Sequence, residues 1–111
     1  MSINVRRKGK AFERKIAVVW MRLFGGEVER SSFVNKKLDD QGVDLIGTDP
    51  FSIQCKAVER SIDMHSILQS MPQDTNINVV VHKRNHQPPV ACMTFEDFLD
   101  LVQMLKKNNI L

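Results

Sequence analysis

Two hydrophobic periods alternate along the chain. From Lys10 to Phe24, apolar residues fall at Phe12, Ile16, Val19, Trp20 and Leu23, the spacing of a helix with one buried stripe, and Gly25-Gly26 supplies its stop. Glu27 to Phe33 alternates weakly and predicts an edge-like strand, followed by a polar segment from Asn35 to Gln41 in which Lys36 to Gln41 is expected to be a mobile loop able to close on a substrate. Next come two short apolar runs, Gly42-Val43-Asp44-Leu45-Ile46-Gly47 and Phe51-Ser52-Ile53-Gln54-Cys55-Lys56, separated by Thr48-Asp49-Pro50. Proline after Asp49 favours a tight turn, so the pair reads as a hairpin. Ser61 to Met71 predicts a second helix with Pro72 beyond its end. Ile77–Val81 and Pro88–Met93 predict two further strands joined by the polar turn His82–Gln87. Thr94 opens a last helix as N-cap, with Phe95, Phe98, Leu101, Val102 and Leu105 on its apolar face. Acids at its amino end and Lys106-Lys107 at its carboxyl end suit the helix dipole. The order αβββαββα describes an α/β domain with a central mixed β-sheet flanked by helices.

Within the hairpin, a two-residue period sends Phe51, Ile53, Cys55 and Ala57 to a core and Ser52, Gln54 and Lys56 to the opposite face. Val43 and Leu45 fit the core as well. Asp44 then points the other way and is expected across from Gln54 and Lys56 on the neighbouring strand. A carboxylate, an amide oxygen and an ammonium converge there.

Those residues resemble a known signature. Asp44, nine residues, then Gln54-Cys55-Lys56 is similar to the motif of the PD-(D/E)XK nuclease superfamily, with Gln54 where that motif has its second acid. Upstream, Arg7-Lys8-Gly9-Lys10-Ala11-Phe12-Glu13-Arg14 resembles the opening of the archaeal-type Holliday-junction resolvases. The resemblance is close over about residues 6 to 60, and the two motifs stand in order at compatible spacing. It implies a restriction-endonuclease-like core, with Glu13 as a further catalytic acid beside Asp44, Gln54 and Lys56. It also implies that the Cys55 backbone carbonyl is a metal ligand and that Arg30-Ser31-Ser32 lies near the site.

The residue types say what such a site can do. Hydrolysing a phosphodiester calls for charge neutralisation and an activated water, which a hard divalent cation on oxygen ligands supplies, Mg2+ with Mn2+ as substitute. Asp44 is the first ligand, the Gln54 oxygen can coordinate without adding charge, and Glu13 can join directly, through water, or by holding a second ion. Lys56 can orient the attacking water or stabilise the developing phosphate charge. Alternatives stay open. Glu13 can be a surface glutamate pairing with Lys10 or Arg14. Arg30, Ser31 and Ser32 can be strand-end residues making local turns. Gln54 can mark a weaker site, a site whose acid comes from elsewhere (Glu29 or Glu59), or a domain that binds DNA without cutting it.

Charge adds a partner. The net charge is only +3, yet Arg6, Arg7, Lys8, Lys10, Arg14 and Lys15 crowd the amino end, with Lys36-Lys37 and His82-Lys83-Arg84 as later clusters. Such clusters suit a polyanion. The DNA contacts expected are Arg6, Arg7, Lys8, Lys10, Arg14, Arg30, Ser31, Ser32, Lys36 and Lys37. His82 and His86 are expected at a hairpin tip, solvated or touching phosphate. If the DNA is a four-way junction, symmetric cutting of two strands by a chain with one site requires a two-fold homodimer. A nickase or restriction-like endonuclease on linear duplex, or a non-catalytic DNA-binding module, would share the pattern.

At 111 residues, one domain over 1–111 is expected. Cys55 and Cys92 read as buried thiols, without the spacing of a metal knuckle. No apolar run approaches membrane-spanning length, and Met1–Val5 lacks a secretory pattern, so a cytoplasmic location is expected.

Overall fold

A computed structural model describes residues 3–111, with side chains from Val5 onward. The reading of Met1 and Ser2 as free of a targeting signal lies outside the described residues. The chain runs α1 (Ile3–Phe24), β1 (Glu29–Arg30), α2 (Ser31–Val34), α3 (Lys36–Asp40), β2 (Leu45–Ile46), β3 (Phe51–Ala57), α4 (Met64–Ser70), β4 (Ile77–Lys83), β5 (Val90–Cys92) and α5 (Phe95–Lys107). The strands form one sheet in the order β1-β2-β3-β4-β5. Only β3 and β4 are parallel, joined through α4, and the other neighbours are antiparallel. The protein is therefore α/β, a five-stranded mixed sheet with helices.

Period-two alternation explains how the sheet is covered. Ile53 and Leu45, with Ile77, Val79 and Val81 of β4, meet Phe12 and Ala17 of α1 on one face, and Ile16, Trp20, Cys55 and Leu101 pack at the margin. Val80 faces the other way and packs against Leu68 and Met71 at the α4 end. Both faces of β4 are covered, which is why its β-branched run is buried throughout from Ile77 to His82.

Several local readings are corrected. α1 starts well before Lys10, so Arg6 to Lys10 lies on a regular helix. The strand expected over Glu27–Phe33 is cut to two residues because the chain turns helical at Ser31. The Ser31 N–H donates to the Asp44 carbonyl at 2.9 Å and its hydroxyl to the Val43 carbonyl, tying that turn to the strand beside it. The polar segment is no open loop: Asn35 caps α3 by accepting the Leu38 N–H at 3.2 Å. α4 is shorter than expected, opening at Met64 with Asp63 as its cap. His82 sits inside β4, 9% exposed, its ring 3.0 Å from the Val58 carbonyl, which removes it from the hairpin tip. His86 does lie in the exposed turn. Both thiols are half-buried.

No helix among the described residues is long and apolar enough to cross a membrane.

Candidate active site

The site forms where β2 and β3 part. The ladder between them pairs Leu45 with Ile53, and the Asp44 N–H donates to the Ile53 carbonyl at 2.7 Å. Continued by one residue, this register sets Asp44 opposite Gln54. The backbone then diverges, and the Asp44 side chain takes over from the ladder: its Oδ2 accepts the Cys55 N–H at 2.7 Å. In an extended strand the N–H and C=O of one residue point the same way, so the Cys55 carbonyl is also directed to the Asp44 side, away from β4.

Burial dominates the chemistry of Asp44. Desolvation raises its carboxyl to about 7, opposed by the Cys55 hydrogen bond, raised further by the charges of Glu13 and Asp39, and lowered by Lys56. Two other acids and the lysine therefore lie within electrostatic reach. Burial and the two carboxylates Asp44 and Glu13 also push the Cys55 thiol far up, so it stays a neutral packing group.

Gln54 carries the most specific signal. Its Oε1 is buried with no hydrogen-bond partner, a state it shares with Asn78 Oδ1 on β4, and Gln54 alone of the two lies across from Asp44 in the extended β2–β3 register. It lies against Gly42, whose φ is +84° and where an added Cβ would come within 3.0 Å of that oxygen. A buried amide oxygen left without a donor is expensive, and a bound cation is one group that would satisfy it.

α1 brings Glu13 from the opposite face of the sheet. Its Oε1 accepts from Arg30 Nε at 2.9 Å, with the two side chains 15% and 12% exposed. Arg30, expected to touch DNA, is instead engaged within the fold, where it holds Glu13 while its guanidinium lies 4.8 Å over the Phe33 ring. Glu13 pairs with Arg30 and not with Lys10 or Arg14. Lys56 projects on the α4 face and lines a cavity of about 290 Å³ with Arg60, Ser61, Asp63 and Ser66. It is half-buried but not enclosed in the hydrophobic interior.

The other expected contacts divide. Arg6 and Lys10 are exposed and precede Glu13 by seven and three residues, so the three share one stripe of α1. Arg7, Ser32 and Lys37 are also exposed, and Lys36 is exposed beside Asp40 at 3.4 Å. Lys8 is paired with Glu59, and Lys8 and Arg14 line a different cavity of about 780 Å³ along α1. Ser31 is corrected outright: at 0% exposure it has no surface to offer a phosphate. Glu59 is no displaced acid either, because it is exposed at the surface and held by Lys8 and the Asn85 N–H.

Asp39 was missed. It stands near the end of α3, the short helix capped by Asn35, 3.5 Å from the Ser31 hydroxyl, and its charge acts on Asp44. That cap was the one signal in the sequence. Arg60 and Ser61, beside Lys56, follow β3 with no pattern that marks them.

The donor set fits a hard cation in kind: the Asp44 carboxylate, the orphaned Gln54 oxygen, the Cys55 carbonyl and, farther off, Glu13. It is poor in charge. No three His, Cys, Asp or Glu side chains among the described residues come together as a metal-binding group.

Compared with known proteins, the chain matches no family model, no curated protein and no solved structure.

Proposed function

We propose that this chain is a metal-dependent endodeoxyribonuclease with a restriction-endonuclease-like core. Its expected substrate is branched DNA such as a four-way junction, cut by a homodimer. The observation that carries the reading is the unpartnered, buried Gln54 oxygen beside the raised Asp44 carboxyl at the parting of β2 and β3.

Asp44, Gln54 and the Cys55 carbonyl would hold Mg2+ or Mn2+, with Glu13 contributing directly or through water. Such an ion, when bound, supplies charge neutralisation for the phosphate and acidifies water. The residues of the chain do the rest. Asp44 must give up its proton to bind, and the Cys55 N–H fixes one of its oxygens while leaving the other free. Arg30 keeps Glu13 aimed, so that its carboxylate can accept a hydrogen bond from water at the site. Lys56 places a positive charge where negative charge develops on the phosphate. Arg6 and Lys10, on the Glu13 stripe, are placed to take neighbouring phosphates and set the strand's register.

A second reading, a DNA-binding module that does not cut, draws support from the low ligand charge and the absence of a three-acid group among the described residues. One assay separates them: cleavage of synthetic four-way junctions and matched linear duplexes with and without Mg2+. The nuclease reading expects Mg2+-dependent junction cleavage that drops at least ~100-fold in both Asp44→Asn and Lys56→Ala. Tight binding without cutting would establish the module. Cleavage surviving both substitutions would place the chemistry elsewhere.

A further inference from the structure

α5 is amphipathic but incompletely used by its own fold. None of its residues is buried, and only Leu101 is packed against the main core. On the flank beside Leu101, Phe95 is 72% exposed, Phe98 48% and Leu99 43%, with the rings of Phe95 and Phe98 stacked on each other at 6.5 Å. Phe95, Leu99, Val102 and Lys106 are spaced four, three and four residues apart, which aligns them along one seam of the helix. A seam of that kind is the contact surface of a helix pair.

The charges on α5 select its occupant. Its first turn carries Glu96 and Asp97 and its last turn Lys106 and Lys107. We infer that α5 pairs antiparallel with α5 of a second copy of this chain about a two-fold axis near residues 100 and 101. Leu99 then packs on the second copy's Val102, Phe95 lies on the Lys106 stem, and Glu96 faces Lys106 and Lys107 at both ends. A parallel pair would set acids against acids and lysines against lysines. DNA is a poor occupant because the apolar seam begins in an acidic turn.

Phe95 and Leu99 are exposed and Val102 is half-buried in the single chain, so the contact is small, sits at the low end of specific interfaces and implies a concentration-dependent dimer. α5 follows β5, the sheet edge opposite β1. This inference does not rest on the nuclease reading, although a two-fold dimer is what symmetric cutting needs.

Sedimentation velocity on the full chain, without DNA or metal, over a concentration series tests it. Wild type is expected to show a monomer–dimer equilibrium. Leu99→Glu should weaken it by at least ~100-fold with unchanged circular dichroism, since that side chain is solvent-facing in the monomer. Glu96→Lys should weaken it by about tenfold, and adding Lys106→Glu and Lys107→Glu should restore it. The charge-swap set decides the matter even if Leu99→Glu perturbs folding. A chain that stays monomeric at every concentration, a dimer indifferent to Leu99→Glu in a folded variant, or a triple variant no tighter than Glu96→Lys overturns the inference.

Discussion

Asp44 holds a carboxyl that burial has pushed up to about 7, so the folded protein keeps a proton there that an unfolded chain would release near the ordinary carboxylate value of 3.8. The linked stability is present below that ordinary value and is lost as pH rises through about 7. Metal-free wild type should therefore lose on the order of 2 kcal/mol between about pH 5 and pH 8, and Asp44→Asn should lose markedly less. Denaturant titrations in chelator measure the difference. A cation competes with the same proton, so Mg2+ affinity should rise with pH and level off above about 7, a trend calorimetry can follow. Gln54→Glu sharpens the contrast: a charged oxygen in place of the orphaned amide should tighten Mg2+ binding roughly tenfold while destabilising the metal-free protein through like-charge crowding with Asp44. Weaker ion binding in Gln54→Glu would mean that this oxygen is not a ligand. The side-by-side placement of the strands that carry Leu45 and Ile53 was legible from the two apolar runs and the turn between them. The Arg30 contact that takes up Glu13 was not, because it crosses from strand to helix and leaves no periodic trace.

Among the secondary-structure elements, the turn after β1 determines how the site is braced. Ser31 is fully buried, with its N–H on the Asp44 carbonyl and its hydroxyl on the Val43 carbonyl. Ser31→Ala leaves that carbonyl short of a donor and should cost about 1–2 kcal/mol in chemical denaturation. DNA affinity at matched folded fraction should stay unchanged, whereas a phosphate-touching serine would lower it. Gly42 is the other brace, held at φ +84° with Gln54 packed against it. Gly42→Ala should cost about 1–2 kcal/mol in backbone strain and also disturb the Gln54 amide, so stability and Mg2+ affinity should fall together. The chain's helices and strands could be ordered from its sequence because their hydrophobic periods are long enough to count. α2 and α3 could not: four- and five-residue helices never complete a stripe, and only the Asn35 cap marks one of them.

Across the protein, a modest net charge of +3 conceals its distribution. Arg6 and Lys10 share the Glu13 stripe, whereas Lys15 lines the separate apolar cavity along α1. Arg6→Ala and Lys10→Ala should each lower the salt slope of DNA binding by about one and weaken affinity at low salt, and Lys15→Ala should do neither. Fluorescence anisotropy across a salt series reads this out. The order of the strands and the three longer helices was accessible from sequence, but the docking of α5 was not: its apolar stripe announces burial without saying whether the partner is its own core or another copy. Everything proposed for the site turns on Asp44, Gln54 and the Cys55 carbonyl surrounding one divalent cation. The decisive measurement is anomalous scattering from a Mn2+-soaked crystal. A peak bonded to the Asp44 carboxylate, Gln54 Oε1 and the Cys55 carbonyl is expected, with Glu13 beside it or bridged by water. A peak elsewhere on the surface, or none under saturating Mn2+ at a pH above the Asp44 titration, would refute that cation site.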